Sequence, residues 1–172
     1  YAGLTFSEFE ERAVYGDFQA ASLNVRANIA IQTRVERSIS NNVAGRIMGS
    51  QRPDEVVVYI AHWDHLGRDE SLEGDQIFNG ALDNATGTAG LIEVAEAFTL
   101  LDPPPARSVL FLAVTAEEQG LLGSAYYSDS PLYPLNKTVA AINMDGLNTL
   151  GPTNDITIIG LGNSELDAYL ET

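Results

Sequence analysis

The rhythm of apolar positions changes along the chain. From Leu23 to Val35 the odd positions read Leu, Val, Ala, Ile, Ile, Thr, Val, while the even ones are mostly Asn, Arg and Gln. That period of two predicts a long, half-buried strand, antiparallel and near a sheet edge. "NNVAGRIMG" and "VVVYIA", joined by the turn-rich "SQRPDE", predict a hairpin leading into the sheet. Later runs are short and continuously apolar: "SVLFLAV" (Ser108 to Val114), "VAAINM" (Val139 to Met144) and "DITIIG" (Asp155 to Gly160). Such runs predict strands covered on both faces. Between them, Leu91, Val94, Ala95 and Phe98 share one face of a helix from about Thr86 to Leu101, which "DPPPAR" ends. A shorter helix is expected over Glu118 to Ser128, and a packed amphipathic one over Phe6 to Phe18. Strands alternating with helices imply an α/β three-layer sandwich with a mixed, largely parallel central sheet and an antiparallel edge. The expected organisation is one domain over 1–172, with residues 1–20 as a helical lead-in and 22–172 carrying the sheet, the helices and the site.

Composition narrows the partners. The chain has 172 residues, 45% of them hydrophobic, so it can bury a real core. Its 24 acids against 9 bases, with Lys137 the single lysine, give a formal charge of −15. A surface of that sign repels nucleic acid and anionic membrane, so neither is an expected partner. No apolar segment approaches the ~18 to 20 residues a membrane helix needs. Cysteine is absent, so any metal must be held by His, Asp and Glu.

In open α/β sheets ligands bind beyond the carboxyl ends of the strands, and polar residues gather there. "VVVYIA" is followed by His62, Asp64 and His65; "SVLFLAV" by Thr115, Ala116, Glu117 and Glu118; "VAAINM" by Asp145. Asp83, in "NGALDNATGTAG", precedes the long helix. Each has a structural reading as well. His-x-Asp can be a polar turn, Asp83 or Asn84 a helix cap, Glu117 and Glu118 first-turn acids on a helix dipole, and "NMDG" a turn. Their joint occurrence favours a site: carboxylates crowded at one sheet edge repel one another unless a cation sits among them. Oxygen and imidazole ligands without sulfur suit zinc, cobalt or manganese. On an extended chain Asp64 points to the same side as His62, so its carboxylate can accept the ring N–H and fix the tautomer. Of the adjacent Glu117 and Glu118, one can bind metal while the other serves as a general base.

"AHWDH", "NGALDNATGTAG", "AEEQGLLGSAYY" and "INMDG", in that order, resemble the zinc exopeptidases of metallopeptidase family 28, a group that includes secreted bacterial leucyl-type aminopeptidases. The resemblance covers roughly Asn42 to Asp145. It implies a two-zinc site in which His62 and Asp145 hold the first metal, Glu118 the second, and Asp83 bridges them. It further implies Glu117 as general base, Asp64 as support for His62, a peptide substrate, and export to the periplasm or medium. An upstream protease-associated domain is a frequent partner in such relatives. The family also has a histidine ligand downstream of the "MDG" aspartate, and this sequence holds only His62 and His65. A structural role is expected for His65. The expectation is therefore an incomplete catalytic domain, holding one zinc or none and inactive alone. Two other readings stay open: a single-zinc, glutaminyl-cyclase-like enzyme, and a non-catalytic binding or receptor domain of the same fold.

Overall fold

The computed structural model describes residues 5–14, 26–35, 37–154 and 157–169. The chain forms two compact units, Tyr1–Ser38 and Ile39–Thr172. In the first, helix α1 runs over Phe6–Ala13. Thr5 caps it reciprocally with Glu8: the Thr5 amide donates to Glu8 Oε2 at 2.6 Å, and the Glu8 amide donates to Thr5 Oγ1 at 3.4 Å. The helix closes at Val14, and the rest of the expected Phe6 to Phe18 helix lies outside the described residues. Of the strand expected over Leu23 to Val35, residues 26–35 are exposed and belong to no ladder. Alternation makes a segment fit for a sheet, but a strand also needs a partner to pair with.

The second unit is an α/β sandwich. Its four-stranded sheet has the order β1-β5-β2-β6, where β1 is Val43–Ile47, β2 Arg52–His62, β5 Arg107–Val114 and β6 Thr138–Asn143. A two-stranded ribbon of β3 (Gly67–Arg68) and β4 (Ile77–Phe78) follows β2. Strand β2 runs parallel to β5 and β6, and β1 pairs antiparallel with β5 at one edge. The mixed, largely parallel sheet with an antiparallel edge is thus the one the sequence predicts.

The hairpin is not. β5 lies between β1 and β2, because the connecting segment bonds to the chain ahead of β5 rather than to itself. Ser50 N donates to Pro105 O at 2.8 Å and Arg52 N to Ala106 O at 2.7 Å. The fully buried Ser108 fastens both sides, accepting from Gly49 N at 3.0 Å and donating to Pro53 O at 2.7 Å.

Helices cover both faces. Val56 and Val58 of β2 pack with Leu110, Leu112 and Val114 of β5 against Tyr127 of α3 (Leu122–Asp129). On the opposite face Ala61, Val109 and Phe111 pack against Leu91 of α2 (Ala85–Thr99). There Tyr59, Phe98 and Phe111 form an aromatic triangle with centroids 5.9 to 6.0 Å apart. Burying each such side chain contributes about 1.5–3 kcal/mol, so β5, buried on both faces, anchors the sheet.

Three expectations shift. β6 was expected to be covered on both faces, yet most of it is exposed, with Val139 at 47% and Ile142 at 39%. Of the strand expected over Asp155 to Gly160, residues 157–160 form no strand. And α3 begins at Leu122 rather than Glu118. Gly120 and Leu121 take positive φ values of 100° and 61°, outside the right-handed helical region. Glu117 and Glu118 therefore stand in a turn ahead of the helix, not in its first turn.

Candidate metal centre

The parallel register brings three strand ends to one edge. His62 pairs with Val114 and Ile60 with Asn143. Beyond them the ladder continues for one bond on each side: Trp63 N donates to Val114 O at 3.0 Å, and Met144 N to Ile60 O at 2.9 Å. The segments after β5 and β6 thus emerge beside His62.

The fourth segment is tied in by Asn84, only 2% exposed. Its Oδ1 accepts from Gly87 N at 2.9 Å, capping α2, and from Gly146 N at 3.2 Å. Its Nδ2 donates to Met144 O at 2.9 Å. One amide therefore caps a helix and joins the loop carrying Asp83 to the loop carrying Asp145. "LDNATG" suggested the cap, but the partner 60 residues away left no mark in the sequence.

His62 is 3% exposed. Its Nδ1 faces the main-chain oxygen of Asp64 at 3.1 Å, with the Asp64 carboxylate at 3.7 Å. The proton expected to go to the carboxylate thus goes to the carbonyl of the same residue. Asp64 Oδ1 instead accepts from Glu117 N at 3.1 Å and Oδ2 from Glu118 N at 3.4 Å, holding the turn that presents both glutamates. Ala116 sits just before that turn at φ 53°, a strained conformation for alanine.

With Nδ1–H spent on Asp64, the neutral ring leaves a lone pair at Nε2. That atom is buried and has no hydrogen-bond partner, although Asp83 Oδ1 lies 2.9 Å away and Asp145 Oδ1 3.5 Å. A lone pair facing two carboxylate oxygens is repulsive until a cation comes between them. A proton at Nε2 would relieve the same repulsion. Burial works to lower the His62 pKa, but Asp145, the Asp64 carbonyl, Glu117 and Asp83 outweigh it and hold it above the ordinary value. Glu117 is also raised, first by burial and then by Glu118, Asp145 and Asp83, against the opposing pull of His62.

Among the described residues, two groups of donor atoms are close enough to hold an ion: His62, Asp83 and Asp145, and His65, Asp83 and Glu118. Asp83 belongs to both. His65 was expected to stay apart from ligation; the structure turns it into the second group, with Nδ1 2.6 Å from Glu118 Oε1. Its i+3 spacing from His62 gave no hint, because the chain bends after β2.

Fold and site together define an α/β protein with a cluster of imidazole and carboxylate groups, able to hold a metal ion, at the carboxyl edge of its sheet. The chain belongs to peptidase family M28, whose family model matches residues 42–172. It is 36% identical over 135 residues to aminopeptidase NAALADL1 of Mus musculus, covering 76% of this chain and 16% of that protein. It is also 34% identical over 108 residues to a probable zinc metalloprotease of Pyricularia oryzae, covering 62% of this chain and 20% of that protein. Among solved structures it resembles BSAP, a zinc aminopeptidase from Bacillus subtilis. The TM-score there is 0.50 at 29% identity, with 61% of this chain and 24% of the other covered. The chain therefore spans about a sixth to a quarter of the length of these proteins.

Proposed function

We propose that this chain carries the metal site of a zinc exopeptidase acting as an aminopeptidase on peptides. The observation that carries the reading is the buried, unpartnered Nε2 of His62 among the carboxylates of Asp83 and Asp145. In this reading His62 and Asp145 would hold one zinc and Glu118 a second, and Asp83, which belongs to both donor groups, would serve both. Bound zinc supplies Lewis acidity, lowering the pKa of water and polarising a carbonyl oxygen. Glu117 is the general base that takes the proton from the attacking water and delivers it to the leaving amine. A carboxyl held above its ordinary value is suited to accepting and returning a proton near neutral pH. The acidic surroundings, in a chain of formal charge −15, favour a substrate with a free α-amino cation. The names of the aminopeptidase and zinc metalloprotease relatives point the same way.

The first test is a zinc titration of the 172-residue chain by calorimetry. Binding near one equivalent, abolished in His62→Ala and Asp145→Ala, is expected; no binding at all would count against a metal centre in this chain. The 172 residues alone are expected to be inactive, because the second zinc has only Asp83 and Glu118 as carboxylate ligands there. In the full-length gene product, Glu117→Gln is expected to lower hydrolysis of a leucine anilide at least ~10²-fold with zinc content unchanged. Full activity in that variant would remove Glu117 as the base.

A further inference from the structure

We infer that His65 is a positioning residue for Glu118, one that fixes which carboxylate oxygen is left to face a metal. The inference rests on the two-zinc reading above, and its central contact, His65 to Glu118, does not involve His62. His65 Nδ1 lies 2.6 Å from Glu118 Oε1, joining residues 53 positions apart. Both side chains are mostly sheltered, at 23% and 17% exposure. A charge-assisted bond of that length is among the strong ones. It is also formed where water competes little.

The ring is held from behind. Gly80, at φ 63°, packs so closely that a Cβ there would stand 2.9 Å from both Cβ and Cγ of His65. Gly80 is itself fixed by its carbonyl, which accepts from Ala85 N at 2.9 Å as α2 begins. The backbone ahead of α2 thus seats the imidazole, the imidazole holds one oxygen of Glu118, and Asp64 holds the Glu118 amide. Glu118 is gripped at both ends. Oε1 is committed to His65, so Oε2 is the oxygen that would face an ion held near Asp83.

Asp83, Glu118 and the His65 ring lie close enough for His65 to ligate an ion directly, and the two roles predict different chemistry. A positioning residue needs only an N–H at the Nδ1 position, which asparagine can supply. A ligand needs an imidazole lone pair, which asparagine lacks.

The test has two arms. In the metal-free 172-residue chain, whose two histidines are His62 and His65, long-range proton–nitrogen NMR reads each ring tautomer, and His65→Asn assigns the signals. The expected result is His65 with its proton on Nδ1 and slow to exchange with water. A proton on Nε2, or rapid exchange, overturns the inference. In the full-length gene product, zinc affinity is then compared among wild type, His65→Asn and His65→Leu. His65→Leu is expected to weaken the zinc that Glu118→Gln removes by ~10- to 100-fold, while His65→Asn stays within about threefold of wild type. The zinc that depends on His62 should be unchanged in both, which also shows that both variants fold. Equal loss in Asn and Leu variants means direct ligation and overturns the positioning role, as does no loss in either. If wild type binds no zinc, the two-metal reading itself fails and takes this inference with it.

Discussion

Nδ1 of His62 and Nδ1 of His65 both point at an oxygen, but of different kinds, and the difference sets what each ring can do. His62 turns Nδ1 to a main-chain oxygen and presents Nε2 to the carboxylates; His65 turns Nδ1 to a carboxylate. Asn84 governs the geometry of the first group, since its Nδ2–H₂ is the group that holds the Met144 carbonyl beside Asp145. Asn84→Asp keeps an oxygen for the Gly87 and Gly146 amides and replaces the donor to Met144 with a second oxygen. At 2% exposure the resulting unpaired carbonyl costs about 1–3 kcal/mol. Chemical denaturation should show that loss, together with weaker zinc binding, while Asn84→Asp with wild-type stability and affinity would reduce Asn84 to a helix cap. The sequence showed which residues gather at the edge, because strand ends are readable from where apolar runs stop. It did not show the Asn84 tie or the turn of His65, since both depend on contacts across 53 to 60 residues. Side-chain rhythm carries no record of such contacts.

At the scale of elements, α2 is seated by glycines as much as by its apolar stripe. A Cβ at Gly87 would run into Asn84 Oδ1 and the Met144 carbonyl. Gly87→Ala gains about 0.5–1 kcal/mol of helix preference and loses about 1–3 kcal/mol to overpacking, so the loss wins. The variant should melt at a lower temperature and bind zinc more weakly; a higher melting temperature would mean the α2 entrance is looser than this packing implies. In β5, Leu110→Ala removes a side chain 1% exposed at the centre of one core face and should cost about 2–5 kcal/mol. A cost under about 1 kcal/mol in chemical denaturation would contradict that close packing. The buried strand, the long helix and the mixed sheet were legible because continuous apolar runs and i, i+3, i+4 spacing are local. Strand order was not. "SQRPDE" reads as a turn in either arrangement, and only its bonds to Pro105 and Ala106 decide that β5 enters between β1 and β2. Likewise the run in β6 reads as doubly covered, while most of the strand is exposed.

For the whole molecule, the site makes pH and zinc act against each other. His62 and Glu117 both have pKa values raised above the ordinary 6.5 and 4.5. A group whose folded pKa exceeds its unfolded one binds its proton more tightly in the native state. The stability it contributes is present in full below the unfolded pKa and is lost as pH rises through the folded one. For His62 that loss begins near pH 6.5 and extends above it, so the metal-free chain should melt at a lower temperature at pH 8 than at pH 6. Self-repulsion of a chain at −15 pushes in the same direction. The comparison that isolates the site is therefore the difference between wild type and His62→Gln, which should shrink as pH rises from 6 to 8. Zinc reverses the sign. Its ligands must be deprotonated to bind it, so the proton that stabilises the empty site competes with the ion, and zinc stabilisation should grow over the same pH range. At a free zinc concentration one hundred times the dissociation constant, that stabilisation is about 2.7 kcal/mol. Thermal melts at pH 6 and pH 8, with and without zinc, read all four corners of this cycle. A zinc-induced rise in melting temperature that is no larger at pH 8 than at pH 6 would show that the ion does not displace the His62 proton, and the metal centre would then have to be sought away from Nε2.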